Sequence, residues 1–306
     1  MVFNITILGS NSSVPAYGRH HTSQIVQIDN YHMMIDCGEA TQHQIQKYKY
    51  NLNKINKVFI SHLHGDHYLG LMGVIYSMHL SGRKKDLTIF GQRGLDEIIL
   101  TQLRYSNSTL NFNLHFSELD PHRISVIDEN ELFTVTSFPL KHRLPCCGFL
   151  FREKAKPRRI KKDLIPKKFP IENFQKLKKG QDILDDQGNI LFKNTHLTLP
   201  PKASRSYAFC SDTCYDENIV PVVRQVDLLY HEATFLQERK AWADATMHST
   251  TLDAANIARL ANVKKLMIGH FSARYRDITP LVDETKSTFL NTIPAIEGET
   301  IVMKEQ

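Results

Sequence analysis

Long hydrophobic runs are missing from this sequence. It contains no stretch of about 18 consecutive apolar residues, which argues against a membrane-spanning helix and predicts a chain without a membrane partner. Residues 1–9 have neither the basic leader nor the cleavage site of a secretion signal, and their alternating apolar side chains predict a first strand instead. The 306 residues are enough to bury a large core in one domain or two.

Cysteine is also scarce. The five cysteines are odd in number and include the adjacent pair Cys146 and Cys147, which argues against the disulfide framework of a secreted domain and predicts a reducing cytoplasm. Cys210 and Cys214 could form half of a thiolate metal site, but no second cysteine pair is present to complete it. Buried thiols are therefore the favoured interpretation of both.

Positive charge is modest overall and concentrated in one segment. The net charge is +6, yet residues 152–179 hold twelve Lys and Arg against three Asp and Glu, a net charge of +9. The rest of the chain then carries −3. Any attraction for a polyanion must therefore come mainly from this segment.

Four potential metal ligands follow a β-branched and aromatic run that ends at Ile60. Within Ser61–His67 they are His62, His64, Asp66 and His67. In an extended segment His62 and His64 point the same way, while Asp66 and His67 reach round a turn toward a second point. One histidine alone is usually a core or surface residue, but packing four such groups together costs several kcal/mol unless a metal compensates. The loop therefore predicts a site that holds two metals.

These residues resemble a known signature. Residues 61–67 are similar to the metal-binding loop of the metallo-β-lactamase superfamily, and the longer sequence over residues 61–71 resembles the ribonuclease Z family, endonucleases that trim the 3′ trailer from precursor tRNA. The resemblance implies an α/β fold, a four-layer αββα sandwich spanning residues 1–306 as a single domain. It also implies a homodimer and a precursor tRNA substrate.

The same resemblance implies the ligands of two zinc ions, most of them where strands end. The first zinc would take His62, His64 and His142, and the second Asp66, His67 and His270. Asp212 would bridge the two with one oxygen each, although a capping or turn aspartate is the ordinary alternative for that residue by itself. The Asp36-x-Gly38 pattern resembles the position from which an aspartate supports the metal loop.

Two further residues match motifs that carry chemistry in the family. Glu232 in His-Glu-Ala-Thr and His248 in His-Ser-Thr resemble the pair that protonates the departing ribose oxygen, and Asp66 doubles as candidate proton acceptor for the attacking water. A histidine oriented by a carboxylate is suited to donating a proton. His231 is more simply a hydrogen-bonded core residue.

An inserted basic arm is predicted over residues 152–196. The segment interrupts the alternation of strands and helices, and Phe169, Phe174 and Leu177 lie among its charges. A basic segment of this kind usually forms a solvated face or a disordered linker. The apolar residues among its charges favour a protruding arm with a small core instead. The resemblance implies that this arm binds the body of the tRNA.

Other parts of the pattern leave alternatives open. Residues 9–15 could cradle a phosphate with their amides or form a surface hairpin turn. The spacing of apolar residues predicts one helix over residues 68–80 and the last core strand over residues 265–272. Residues 280–306 are predicted to form a helix and a tail, for which the sequence indicates no function.

A hydroxide held by two such metals could also attack a β-lactam or a thioester, so the metals alone do not choose the substrate. Two alternative functions therefore remain. One is a small-molecule metallohydrolase that acts on phosphodiesters, sulfate esters or thioesters. The other is a non-catalytic RNA-binding module with a structural metal, for which a ligand should be missing.

Overall fold

A computed structural model describes residues 2–305 of the chain. Within that range the strands are β1 (Phe3–Gly9), β2 (Ser23–Ile28), β3 (Tyr31–Cys37), β4 (Ile55–Phe59), β5 (Leu87–Gly91), β6 (Leu114–Glu118), β7 (Ser125–Glu129), β8 (Phe133–Leu140), β9 (Cys146–Glu153), β10 (Arg159–Ile160), β11 (Ile183–Leu184), β12 (Ile190–Phe192), β13 (Thr198–Leu199), β14 (Ser206–Cys210), β15 (Leu228–Glu232), β16 (Leu266–Gly269), β17 (Thr292–Pro294) and β18 (Thr300–Val302). The α-helices are α1 (Thr41–Lys47), α2 (Gly65–Tyr68), α3 (Leu71–Leu80), α4 (Leu95–Tyr105), α5 (Ile171–Lys178), α6 (Asn194–Leu197), α7 (Lys240–Thr246), α8 (Thr251–Leu260) and α9 (Thr279–Thr288).

Two seven-stranded sheets form the middle of the molecule. Their spatial orders are β18-β1-β2-β3-β4-β5-β6 and β17-β16-β15-β14-β9-β8-β7. One apolar cluster, which includes Phe59, Phe149 and Tyr207, is formed by the facing sides of the two sheets. Two further clusters join the outer side of each sheet to helices, α3 and α4 on the first and α8 and α9 on the second. The predicted four-layer αββα sandwich is therefore confirmed.

Parallel strands aim their carboxyl ends at one edge of this sandwich. In the first sheet β3, β4 and β5 run parallel, and in the second β14, β15 and β16 do the same. Polar residues that follow these strands consequently meet at that edge, where ligands generally bind in α/β folds.

The prediction of one helix over residues 68–80 is wrong about where the helix begins. The chain becomes helical already at Gly65, and the helix is interrupted between α2 and α3. At the interruption the amide of Gly70 donates to the carbonyl of Cys37 at 2.9 Å instead of continuing the helical pattern. Asp66 and His67 therefore lie in a helical turn held against the end of β3.

The prediction that residues 265–272 form the last core strand is also wrong. β17 pairs with β16 at one edge of the second sheet, and β18 pairs with β1 at the edge of the first. Both strands have three residues. Strands this short carry almost no periodic signal, so their pairing depends on contacts that lie far apart in sequence.

Between β9 and β14 the chain leaves the sheet and returns to it. Ser204 Oγ donates to the carbonyl of Lys154 at 3.1 Å, so the exit and the return lie side by side. Next to them the Arg205 guanidinium donates to the buried Glu153 carboxylate at 2.5 Å. The segment between them contains two separate two-stranded sheets, β10 with β13 and β11 with β12. It has an apolar cluster of its own around Leu177, with Ile183, Leu197, Ile165, Phe169 and Phe192.

All five cysteines are free thiols, and four are buried while Cys214 is half-buried. This outcome confirms the interpretation of Cys210 as a buried thiol. Among the helices of residues 2–305, none combines the length and the continuous apolar sequence that crossing a bilayer demands.

Candidate metal centre and active site

The seven predicted ligands meet where the strands end. They are His62 and His64 after β4, Asp66 and His67 in α2, His142 after β8, Asp212 after β14 and His270 after β16. They form two groups of four that share Asp212, and within each group the ligand atoms lie within 4.8 Å of one another. Distant parts of the sequence are thus brought to one point by the parallel strands.

The first group consists of three imidazoles and a carboxylate oxygen. His62 Nε2 and His142 Nε2 lie 2.9 and 3.1 Å from His64 Nδ1. Burial lowers the pKa of all three histidines, which favours the neutral imidazole that metal ligation requires. Three nitrogens and one oxygen are the donor set of many zinc sites.

The second group contains buried polar atoms that lack hydrogen-bond partners. They are His67 Nε2, Asp212 Oδ1 and His270 Nε2. Asp212 Oδ1 lies 3.4 Å from His67 Nε2 and 3.2 Å from His270 Nε2, while Asp66 Oδ2 lies 3.5 Å from each nitrogen. Orphaned buried polar atoms are rare because each costs about 1–3 kcal/mol. Since these atoms converge on one point and belong to metal-binding residue types, they fit a divalent cation.

Electrostatics at this second group also favours a cation. Burial lowers the pKa of His67, but the surrounding carboxylates of Asp212, Asp66 and Asp36 outweigh it and raise that pKa well above its usual value. A buried pocket with this excess of negative charge is stabilised by positive charge placed within it. A metal ion supplies that charge.

Neighbouring groups fix the orientation of the imidazoles after β4. Ser61 Oγ donates to Asp36 Oδ2 at 2.9 Å, so it is an acceptor for His62 Nδ1, which lies 3.1 Å away. His67 Nδ1 donates to the same Asp36 oxygen at 2.7 Å. Both histidines therefore carry their proton on Nδ1 and present the Nε2 lone pair to the metal groups. Asp36 is placed as the resemblance implied.

The other two strand-end histidines are oriented in the same way. His142 Nδ1 donates to the carbonyl of Met247 at 2.9 Å. Thr234 Oγ1 donates to Glu232 Oε2 at 2.5 Å, which leaves it as acceptor for His270 Nδ1 at 2.8 Å. Thr234 was missed by the sequence analysis, although it ends the His-Glu-Ala-Thr motif.

Non-glycine residues with left-handed backbone conformations cluster at this edge. Asp36, Met247 and His270 have φ angles of 51°, 58° and 59°. Such conformations are uncommon for residues with a Cβ and persist where the surroundings enforce them. Here they direct one supporting carboxylate, one supporting carbonyl and one ligand toward the centre.

Glu232 and His248 form a close pair beside the metal groups. Glu232 Oε1 accepts from His248 Nδ1 at 2.8 Å and from the amide of Thr213 at 3.0 Å. Burial lowers the pKa of His248, but Glu232 and the nearby carboxylates outweigh it and raise the pKa to about 9. The fully buried Glu232 carboxylate that holds Nδ1 favours the protonated form of His248 and leaves Nε2 directed away from Glu232.

A cleft of about 630 Å³ opens over these groups. Its walls include His248 and five of the seven predicted ligands, His64, Asp66, His142, Asp212 and His270. They also include Ser12, Ser13, His21, Glu39, Arg143, Phe235, Trp242 and Arg274. Arg143, Trp242 and Arg274 were not predicted from the sequence, because an isolated charged or aromatic residue has no spacing signal.

Two open interpretations are decided by the hydrogen bonds. The amides of Ser10, Asn11 and Ser12 already donate to carbonyl groups of the protein, which favours the turn over the phosphate cradle for residues 9–15. His231 is fully buried and its Nδ1 donates to the carbonyl of Glu232 at 2.7 Å. The interpretation of His231 as a core histidine is thus confirmed.

Comparisons with known proteins give consistent relatives. The chain is 44% identical over 297 residues to "Ribonuclease Z" of Bacteroides fragilis, a match that covers 97% of each chain. It is 44% identical over 306 residues to "Ribonuclease Z" of Cytophaga hutchinsonii, covering 100% of this chain and 98% of the relative. A family model described as "Anti-Pycsar protein Apyc1" matches residues 3–156.

Solved structures share the fold. Human tRNase Z, short form, superposes with a TM-score of 0.71 at 24% identity and covers 97% of this chain and 98% of its own. The metallo-beta-lactamase fold protein YhfI from Bacillus subtilis gives a TM-score of 0.70 at 17% identity, with coverage of 99% and 100%. At these identities the likeness concerns the fold alone.

Proposed function

This chain belongs to the ribonuclease Z family, and from that premise we propose that it is a metal-dependent endoribonuclease that removes the 3′ trailer from precursor tRNA. The products would be a tRNA with a 3′ hydroxyl and a trailer with a 5′ phosphate. One observation carries the proposal: the relatives named ribonuclease Z match this chain almost from end to end, across both metal groups and the Glu232–His248 pair.

The match to the Apyc1 family model gives weaker support for this function than the ribonuclease Z relatives do. It ends at residue 156, so it includes His62, His64, Asp66, His67 and His142 but neither Asp212 nor His270. It also ends before Glu232 and His248. The match is consistent with a metallohydrolase in general and does not distinguish one phosphate ester from another.

We propose two zinc ions as the cofactors, held by the two groups that share Asp212. The support is the donor set, three imidazoles and a carboxylate in one group and two imidazoles with two carboxylates in the other. Bound there, the metals would supply Lewis-acid stabilisation of the entering and leaving oxygens and a water of lowered pKa.

In the proposed reaction the chain's own residues move two protons. Asp66 lies next to both His67 and His270, and its carboxylate would accept a proton from the attacking water. On the opposite side of the phosphate, His248 Nε2 would donate a proton to the departing ribose 3′ oxygen. Glu232 holds the His248 ring in the required orientation and stabilises its charged form.

We further propose that residues 152–196 form an arm that binds the body of the tRNA. Six lysines of this segment are exposed and form no ion pair within residues 2–305: Lys162, Lys167, Lys168, Lys176, Lys178 and Lys179. Unpaired ammonium groups are suited to phosphate contacts, which provide affinity without reading sequence.

Two properties of the whole protein complete the proposal. Its free, largely buried thiols are consistent with a reducing cytoplasm. The family resemblance implies a homodimer, for which light scattering should give a mass near twice 35.2 kDa. A mass near the single-chain value at micromolar concentration would contradict the dimer.

The function is tested with a labelled precursor tRNA that carries a 3′ trailer. The purified protein should release one trailer fragment with a 5′ phosphate, and prior treatment with a chelator should abolish cleavage until zinc is restored. A chain that hydrolyses small phosphodiesters but leaves precursor tRNA intact would support the small-molecule alternative. A chain that binds RNA and cleaves neither would support the non-catalytic one.

A further inference from the structure

A row of flat side chains runs from the proposed proton donor out along the cleft wall. The His248 ring centre lies 6.3 Å from that of Phe235. The guanidinium carbon of Arg274 lies 6.0 Å from the Phe235 ring centre and 5.5 Å from that of Trp242. Phe235 is buried, whereas the Trp242 indole is 50% exposed. The row therefore begins at His248 and ends in an open aromatic face.

Contacts with Arg274 hold the Trp242 side chain in place. A guanidinium over an indole is attracted by the ring's electron density, worth about 0.5–1 kcal/mol at an exposed site. Trp242 lies in α7, which leads directly into Met247 and His248. The indole is thus tied to the same segment that carries the proposed proton donor.

Two positively charged side chains lie on the walls of the same cleft as this aromatic group. Arg274 and Arg143 are exposed on the cleft walls, and within residues 2–305 neither forms an ion pair. Single-stranded nucleic acids are bound by such combinations, where cationic groups follow the backbone and aromatic rings stack on bases. A ligand that is anionic and carries flat rings fits this wall better than a purely apolar one.

An exposed aromatic residue is not remarkable by itself, and the chain contains a direct comparison. Arg104 lies 5.3 Å from the ring centre of Tyr105, which is 83% exposed, but this pair is not among the cleft-lining residues. Trp242 differs from Tyr105 in its position, because it lines the cleft onto which Asp66 and His248 open. Position, not exposure, is what points to a ligand.

We propose that Trp242 is a stacking platform for the base of the last tRNA nucleotide, the one whose 3′ oxygen leaves at the phosphate that is cut. The inference rests on the proposed function. His248 must lie next to that departing oxygen to protonate it, and the base attached to the same ribose is the first flat group that the substrate presents beyond it. The aromatic row beside His248 leads to Trp242, and Arg274 next to the indole accommodates an adjoining phosphate.

The test compares Trp242→Ala, Trp242→Phe and Trp242→Leu with the wild type and with Tyr105→Ala. Stacking one base on an aromatic side chain changes affinity by about 5- to 100-fold. Trp242→Ala and Trp242→Leu should therefore raise KM for precursor tRNA by that factor while kcat changes little. Trp242→Phe should recover much of the loss because it keeps a ring, and Tyr105→Ala should equal the wild type. Zinc content and Tm establish that each variant is folded and loaded.

Substrates with a missing base locate the contact. Removing the base of the last tRNA nucleotide should weaken binding to the wild type and eliminate the difference between wild type and Trp242→Ala. Removing the first trailer base should leave that difference intact. The proposal is overturned if Trp242→Ala and wild type have the same KM for intact precursor tRNA. It is also overturned if their KM values still differ when the last tRNA base is missing, or if they become equal when the first trailer base is missing. Failure of the wild type to cleave any precursor would instead overturn the proposed function and this inference with it.

Discussion

Asp212 has one oxygen in each of the two proposed metal groups, and this position makes it the most sensitive residue of the site. Oδ2 lies 3.6 Å from His62 Nε2, and Oδ1 lies 3.2 Å from His270 Nε2. A histidine or glutamine could serve one group only. A carboxylate is the smallest side chain with two equivalent donors pointing in different directions.

Asp212→Ala should reduce the zinc content below two ions per chain and abolish cleavage of precursor tRNA, because both groups lose an oxygen ligand. Zinc is measured by atomic emission on the dialysed protein. Asp227→Ala is the matched control, since Asp227 accepts from Ser206 and Lys264 and does not line the cleft. Two zinc ions and normal turnover in Asp212→Ala would refute the bridging assignment.

His248→Ala should separate proton transfer from metal binding. His248 is hydrogen-bonded to Glu232 and is not in either group of four ligands, so the variant should retain its metals. Cleavage of precursor tRNA should slow by about 10²- to 10⁴-fold, the usual contribution of general acid catalysis. A nitrophenolate leaving group departs without being protonated, so the variant should hydrolyse a nitrophenyl ester at close to the wild-type rate. Equal losses on both substrates would assign His248 another role.

At the residue scale, the local sequence pattern was sufficient to predict the metal ligands but not the residues that orient them. Residues 62–67 contain four of the predicted ligands, and each of the other three closely follows the end of a strand. Thr234, which orients His270, and Trp242, on the cleft wall, have no comparable spacing. Their positions depend on how β15, α7 and β16 pack together, and a single sequence does not contain that information.

Two glycines set the position of the helix that carries Asp66 and His67. A Cβ on Gly38 would lie 2.3 Å from the carbonyl oxygen of Asp66, and one on Gly70 would lie 2.1 Å from the carbonyl oxygen of Gly38. Backbone atoms this close cannot move aside as a flexible side chain can. The end of β3 and the α2–α3 junction thus fit together only without side chains at these two positions.

Gly38→Ala should therefore displace α2 and weaken the second metal group more than the first. We expect one zinc ion to be lost on dialysis at a lower chelator concentration than in the wild type, with a lower Tm. Gly73→Ala is the control, because its Cβ would meet only the terminal oxygen of the Gln42 side chain, at 2.7 Å. In the interior of α3 an alanine should be neutral or stabilising by up to about 1 kcal/mol. Equal zinc retention in the two variants would contradict this role of Gly38.

At the element scale, the long periodic segments were predictable and the short ones were not. β1 has clear alternation, and the structure places a strand where the pattern indicated it. β17 and β18 were missed because three residues cannot establish a period. The break between α2 and α3 was missed because its cause, the contact of Gly70 with Gly38, joins residues more than thirty positions apart.

At the scale of the whole molecule, the net positive charge belongs to a segment that contains none of the proposed metal ligands. Residues 155–203 carry a net charge of +7, so the remainder of a chain with net charge +6 carries −1. The remainder contains all seven proposed ligands as well as Glu232 and His248. A nearly neutral catalytic body gains little from long-range attraction to a polyanion, whereas the segment can supply it.

The structure indicates where this segment can be removed. Ser204 Oγ donates to the carbonyl of Lys154, and the buried Glu153–Arg205 pair lies just beyond that point. Replacing residues 155–203 by a short Gly-Ser linker leaves both contacts in place. A cut inside β9 would break the ion pair, and an unpaired buried charge costs about 3–5 kcal/mol. The shortened chain should consequently fold and bind zinc.

Deleting residues 155–203 should weaken binding of precursor tRNA and flatten its salt dependence together. Each phosphate contact with double-stranded RNA contributes roughly −0.9 to the slope of log affinity against log salt, by analogy with duplex DNA, so losing several contacts reduces the slope by several units. Hydrolysis of bis-nitrophenyl phosphate should persist, since that ester has no tRNA body to bind. Titrations at several salt concentrations, with zinc analysis of both proteins, measure the three quantities.

The outcomes separate the competing descriptions of the segment. If the segment does not contact the tRNA, deletion changes neither the affinity for tRNA nor the slope. If the enzyme acts on small molecules, neither protein cleaves precursor tRNA and both hydrolyse the ester equally. Loss of ester hydrolysis in a folded, zinc-loaded deletion variant would mean that the segment contributes to the chemistry itself. Only the combination of weaker tRNA binding, a flatter slope and retained ester hydrolysis supports a division between a binding arm and a catalytic body, because each of the other descriptions predicts a different result for at least one of these quantities.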